Sequence, residues 1–154
     1  MKQFYLLIAA ALFSFQMNAQ KISKDNVPAV VIEAFKAKFS IAEKTTWELD
    51  YDKYQAEFSV GKANFSAKFD KDGKWLETKT YIKPSDLPKN IRDAVAKKYG
   101  ELSAYKIEEA EKVERGKQIT YELEVKKGEG SYELEFDEEG EVLTEEKKSE
   151  TRKD

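Results

Sequence analysis

Two stretches decide the fold: Asn26-Val27-Pro28-Ala29-Val30-Val31-Ile32-Glu33-Ala34-Phe35-Lys36-Ala37-Lys38-Phe39, and Asp86-Leu87-Pro88-Lys89-Asn90-Ile91-Arg92-Asp93-Ala94-Val95-Ala96-Lys97-Lys98-Tyr99. Written at an offset of 60, they share three identical positions out of 14 (Pro28/Pro88, Ala34/Ala94, Lys38/Lys98) and six conservative ones. Each opens with an Asx residue, a candidate N-cap, followed by Pro in the first turn, where its missing N–H costs nothing. Apolar side chains recur at Val27, Val31, Phe35 and Phe39, and again at Leu87, Ile91, Val95 and Tyr99. A four-residue step keeps them near one face of a helix. Gly100 supplies a stop for the second. Two amphipathic helices are expected, each needing a surface to cover its apolar stripe.

The residues after each helix change period from four to two. Trp47, Leu49 and Tyr51 alternate with polar neighbours, as do Ala56, Phe58 and Val60, then Phe65, Ala67 and Phe69. The second half repeats this with Ile119, Tyr121, Leu123, Val125 and with Tyr132, Leu134, Phe136, while Glu122, Glu124, Glu133 and Glu135 fill the other face. One buried and one polar face means antiparallel strands. Phe69-Asp70-Lys71-Asp72-Gly73 matches Phe136-Asp137-Glu138-Glu139-Gly140, both short hairpin turns with Gly at a positive-φ site. Gly61-Lys62-Ala63 and Gly128-Glu129-Gly130 mark two more hairpins, and Lys83-Pro84-Ser85 links the halves. The expected fold is α+β: two tandem repeats, residues 20–83 and 84–148, each an N-terminal helix packed on a roughly four-stranded antiparallel meander. Phe69 and Phe136 align at an offset of 67, so the second copy carries seven extra residues. They are expected in the Lys112–Lys117 hairpin and the Lys126–Gly130 turn.

Residues 1–19 are read as a signal peptide. A basic start at Lys2, twelve uncharged residues from Phe4 to Phe15, and Ala19 before Gln20 give the three-part export layout, with cleavage between Ala19 and Gln20. Twelve apolar residues are too few to span a bilayer of about 30 Å, and no later segment is apolar enough. The expected location is periplasmic or secreted. The polar run from Glu145 to Asp154 is expected to fray, with residues 149–154 a disordered tail.

Composition narrows the chemistry. The 154 residues hold no His and no Cys, which removes histidine acid–base catalysis, thiol nucleophiles, disulfides and Cys- or His-ligated zinc. There is no G-x-S-x-G, P-loop or dinucleotide fingerprint. Residues 20–100 carry 16 basic and 12 acidic side chains, residues 101–150 carry 8 and 17. Such polarity solubilises exposed faces or steers a basic partner. The net negative charge and export argue against nucleic acid.

Taken together, the signal peptide, the two (Val/Leu)-Pro-x-x-(Val/Ile) helix starts and the two Phe-Asp-x-x-Gly turns resemble the PepSY-like, β-lactamase-inhibitor-like family, abundant among exported proteins of Bacteroidetes. The resemblance covers nearly all of the chain after residue 19. It implies a fold similar to β-lactamase inhibitor proteins, and it implies binding or restraint of a hydrolase or peptidase, with no inhibitory residue to carry over.

The expected function is therefore an exported, non-catalytic protein-binding module without a cofactor, using the open sheet face and hairpin tips. The candidate partner-contacting residues are Tyr54, Trp75, Trp47, Tyr51 and Tyr81, large rings of the kind that anchor interfaces. By phase with Leu49, Trp47 and Tyr51 belong to the core; Tyr54 and Trp75 are the better surface candidates. The alternatives are an enzyme or Ca²⁺-dependent protein using Asp70, Asp72, Asp137 and Glu139, or a self-assembling envelope protein. The position twelve residues along each acidic loop is Tyr81 or Lys148, so neither closes an EF-hand, and a hairpin with an Asx turn is the simpler reading.

Overall fold

The computed structural model describes residues 20–100 and 104–148. Residues 1–19, read above as a signal peptide, and residues 149–154, read as a tail, lie outside the described residues. Two helices and nine strands follow in the order β1 (Gln20–Ile22), α1 (Ala29–Lys38), β2 (Glu43–Asp50), β3 (Lys53–Val60), β4 (Ala63–Asp70), β5 (Trp75–Tyr81), α2 (Lys89–Tyr99), β6 (Lys106–Arg115), β7 (Gln118–Lys127), β8 (Gly130–Asp137) and β9 (Val142–Lys148).

Both helices form over the expected stretches, but their starts differ from expectation. Asn26 and Asp86 close short 3-10 turns at Lys24–Asn26 and Pro84–Asp86 instead of capping the helices. Pro28 and Pro88 are the N-cap residues, and neither has a side-chain cap bond. The Pro28 carbonyl accepts from Val31 N and Ile32 N, and the Pro88 carbonyl from Arg92 N. This arrangement lets Val27 and Leu87 drop into the core one turn before the helix proper. Gly100 ends α2 at φ 94°, a conformation that glycine adopts without strain.

The strands form a single antiparallel sheet in sequence order, β1 to β9. This corrects the expectation of two separate four-stranded sheets. β5 pairs with β6 through Thr78↔Glu114, Lys79↔Val113, Thr80↔Lys112 and Tyr81↔Glu111. Joining them pairs two edges that separate sheets would leave open to aggregation. β1 adds an extra strand beside β2. Glu145 to Lys148, expected to fray, instead belong to β9 and pair with β8.

The extra residues of the second half can be placed by register. Trp47 pairs with Ala56 and Ala56 with Ala67; Ala110 pairs with Leu123 and Leu123 with Leu134. The offset is thus 60 in the helices, 63 at Trp47/Ala110 and 67 at Ala56/Leu123. Three added residues sit between α2 and β6, and four in the β6–β7 hairpin. The Gly128 turn keeps the spacing of the Gly61 turn, contrary to expectation.

Two apolar clusters lie on one side of the sheet, one under each helix. Val27, Val31 and Phe35 pack on Trp47, Ala56, Phe58, Ala67 and Phe69. Leu87, Ile91, Val95 and Tyr99 pack on Ala110, Leu123, Val125, Leu134 and Phe136. Val31, Ile91, Phe69 and Phe136 are 0% exposed. Phe35 makes edge contacts with the rings of Trp47, Phe58 and Phe69 at centroid separations of 5.1–6.3 Å. Burying such side chains stabilises by about 1.5–3 kcal/mol each. Disulfides are absent, so these two clusters carry the stability of the fold.

Candidate functional site

The period of two in each strand puts every second side chain on the face away from the helices. Gln55 and Glu57 of β3 stand opposite Lys68 and Ser66 of β4, and Lys68 and Ser66 opposite Glu77 and Lys79 of β5. Further along, Glu111 pairs with Glu122 and Glu122 with Glu135, while Glu109 pairs with Glu124, Glu124 with Glu133 and Glu133 with Glu146. Neither helix covers this face. Side chains from β3 to β9 line one depression of about 500 Å³, so the sheet curls around it.

Three bases tie this face together. Lys79 Nζ lies 3.0 Å from Glu111 Oε2 and 2.5 Å from Glu122 Oε2. Arg115 uses its whole fork: Nε to Glu77 at 2.8 Å, Nη2 to Glu122 at 2.7 Å and Nη1 to Glu135 at 3.0 Å. Lys148 reaches Glu124 and Glu133, each at 2.8 Å. Burial disfavours the charge on Lys79, but Glu122 and Glu111 outweigh it and raise its pKa; burial of Arg115 is likewise outweighed, by Glu122 and Glu77. Glu122 is also partly desolvated, yet Lys79 and Arg115 bring its pKa below the usual carboxylate value. Glu111 goes the other way, because burial exceeds the help from Lys79. Opposed shifts in neighbouring carboxylates can mark an acid–base pair. Here, however, Lys79 bridges the two, where a reacting atom would have to sit.

The sequence-predicted residues fall on different sides. Tyr81, 36% exposed, lines the depression, and its phenol pKa is raised by burial and by Glu57 and Glu111. Tyr51 is not in the core as its phase with Leu49 suggested. It sits in the β2–β3 turn at φ 54° and is 79% exposed. Trp47 is buried against α1 as expected. Tyr54 and Trp75, expected at the surface, pack against the first core cluster. A register shift opposite Lys68 and Phe69 turns Trp75 to the helix side; its indole N–H donates to Thr78 Oγ1 at 2.9 Å, and Lys38 Nζ lies 3.9 Å from its ring centroid.

The acidic turns are occupied by their own backbone. Asp70 Oδ1 accepts from Asp72 N and Lys74 N, each at 2.9 Å. Asp137 Oδ1 accepts from Glu139 N at 3.0 Å and Glu141 N at 2.8 Å. These are Asx turns. Among the described residues no group of three or more carboxylates is placed to hold a metal ion.

The family model described as "Putative beta-lactamase-inhibitor-like, PepSY-like" matches residues 14–62 and 52–144. The chain belongs to the PepSY-like family. No curated protein matches this PepSY-like chain. Its fold is shared with solved bacterial proteins. A DUF2874 family protein from Bacteroides uniformis is 23% identical, with TM-score 0.71 over 78% of this chain and 88% of its own. A BLIP-like protein from Bacteroides fragilis is 21% identical, with TM-score 0.69 over 78% and 85%. A protein from Bacteroides eggerthii, described as "putative periplasmic", is 23% identical, with TM-score 0.72 over 79% and 88%. No helix among the described residues of this PepSY-like chain is long and apolar enough to cross a membrane.

The sequence reading missed Arg115, Lys79 and Lys148 as organisers of the open face. The signal was present in the Glu-x-Glu spacing of β7 and β8. Once the Gly128 turn sets Lys127 opposite Gly130, that spacing forces Glu124 onto Glu133 and Glu122 onto Glu135.

Proposed function

We propose that this chain is an exported, non-catalytic protein-binding module of the periplasm or cell exterior that docks a partner on the open face of its sheet, with a hydrolase or peptidase as the partner it restrains. The carrying observation is the one-sided architecture: both helices pack on the same side, leaving a polar depression that runs from β3 to β9. Within this reading residues 1–19 are the cleaved signal, and 20–83 and 84–148 are tandem copies. The offset of 60 between the helix starts, Ala29 and Lys89, and between the buried Val31 and Ile91 supports the duplication. The exported location is supported by the description of the B. eggerthii neighbour, and inhibitor-like binding by that of the B. fragilis neighbour.

Tyr81 in the depression is the aromatic anchor of this surface, and Tyr51, exposed in the β2–β3 turn beyond the depression's lining, is a second anchor at the hairpin tip. Affinity capture from a periplasmic extract tests them. Tyr51→Ala/Tyr81→Ala loses a partner that the native protein retains, while Ile41→Ala, 69% exposed and outside the depression, retains it. Equal capture by all three proteins would remove these anchors and the face they mark.

A further inference from the structure

The chemistry of the open face points to the kind of partner. Eight glutamates and three lysines line the depression. In one row, Glu109, Glu124, Glu133 and Glu146 stand directly opposite one another on four adjacent strands, and beside it Glu111, Glu122 and Glu135 form a second row. Like charges opposed across strands destabilise a sheet. Lys79, Arg115 and Lys148 bridge members of both rows, yet carboxylates still outnumber bases on the face.

The spacing of the first row also constrains shape. Adjacent strands lie about 4.8 Å apart, so its four carboxylates repeat at that interval across the sheet. An extended chain places same-side residues about 6.7 Å apart and falls out of step within two of them. A helix laid across the strands returns a side chain to one face every turn, about 5.4 Å. Over three intervals the mismatch is about 2 Å, within the reach of a flexible lysine or arginine.

We propose that the open face receives a basic helical segment of a partner protein, laid across β6 to β9 so that successive turns set Lys or Arg over the glutamate rows. The proposal rests on the reading that this face is the docking surface, and adds the charge and shape of what docks. Lys68, Lys79, Arg115 and Lys148 already offset part of the glutamates' charge within the chain, but eight glutamates face four bases, and the partner's cations would offset the remaining excess.

The test uses three 16-residue alanine-based peptides: one with lysines phased on a single helical face, an isomer of the same composition with that phase scrambled, and the phased peptide with Glu in place of Lys. Each is titrated into the isotope-labelled protein at low salt. The phased basic peptide is expected to shift the amides of Glu109, Glu124, Glu133 and Glu146, to gain helicity on binding, and to bind at least about fivefold more tightly than the scrambled isomer. The acidic peptide is expected to leave the spectrum unchanged. Raising the salt to physiological strength should weaken the phased peptide severalfold.

Two variants of equal charge separate a site from general attraction. Glu109→Gln/Glu146→Gln neutralises the exposed ends of the row and should weaken binding about fivefold; Glu138→Gln/Glu139→Gln, in the β8–β9 turn, should change it by less than twofold. Melting curves confirm that both remain folded. Equal weakening by the two variants, shifts centred on the turn, equal affinity for the two basic peptides, or no binding of the phased peptide at millimolar concentration would each overturn the proposal. If the periplasmic partner still requires Tyr51 and Tyr81 while the peptide fails, only the basic-helix chemistry falls; if the partner ignores both tyrosines, the docking face itself falls.

Discussion

Replacing Arg115 by Met should destabilise the protein in a way that acid repairs. The guanidinium holds Glu77, Glu122 and Glu135, and the Arg115 side chain is only 31% exposed. Its removal does not affect the three carboxylates equally. Glu122 keeps Lys79 at 2.5 Å, and Glu77 keeps Lys68 at 3.8 Å. Glu135, with a side chain 10% exposed, loses the charge at 3.0 Å. Stranding one mostly buried carboxylate costs about 1–3 kcal/mol, and loss of two further charge-assisted bonds at partly solvated sites adds less than about 1 kcal/mol. A total near 2 kcal/mol lowers the melting temperature by roughly 8 °C for a chain of this size. Arg115 helps to hold the Glu122 pKa down, so its contribution is present above the ordinary carboxylate pKa and is lost as pH falls through the lowered one. The deficit should therefore be full at pH 7 and shrink as pH falls below the ordinary carboxylate value, toward about pH 3. Adding Glu135→Gln should recover about half of the loss at pH 7. Thermal melts at both pH values decide it. A deficit below about 0.5 kcal/mol, or one independent of pH, would refute the view that this guanidinium organises the face.

Other substitutions test the fold and the turns. Gly73→Ala should cost about 2 kcal/mol: φ is +82° and an added Cβ would meet the Val30 carbonyl oxygen at 2.8 Å, whereas Gly61→Ala, at φ +60° with open space around it, should cost only about 1 kcal/mol by chemical denaturation. Ile91→Ala, at a site with no exposure, should lose about 3 kcal/mol in the same assay. Glu57→Gln should stabilise the protein near neutral pH. Burial raises the Glu57 pKa, so ionisation opposes folding above that value and the penalty disappears below the unfolded one; the gain over the native protein, followed by melting against pH, should vanish toward pH 4.

Much of the architecture was legible because the helix stripes and strand alternation are local patterns. Val31, Phe35, Ile91 and Val95 fall where a four-residue step puts them, and Phe69 and Phe136 where a two-residue step does. The β5–β6 joint was not legible. Trp75–Tyr81 and Lys106–Arg115 are mixed in polarity, and nothing local says which edges will meet. Tyr51 was misplaced because alternation continues past Asp50 in sequence while the chain has already turned. Trp75 was misplaced because a one-residue register shift reverses which neighbour faces the core. Of the open face, the glutamate spacing was readable, but the three bases that knit it come from β5, β6 and β9, and only the assembled sheet brings them together.

The most direct measurement places a photo-reactive phenylalanine analogue at Gln55 or Thr144, on the open face, or at Glu33 or Lys97, on the helices, and irradiates cells producing each form. Docking on the open face predicts that the same covalent partner appears from Gln55 and Thr144 and is absent from Glu33 and Lys97. Adducts formed chiefly from the helix positions would contradict it.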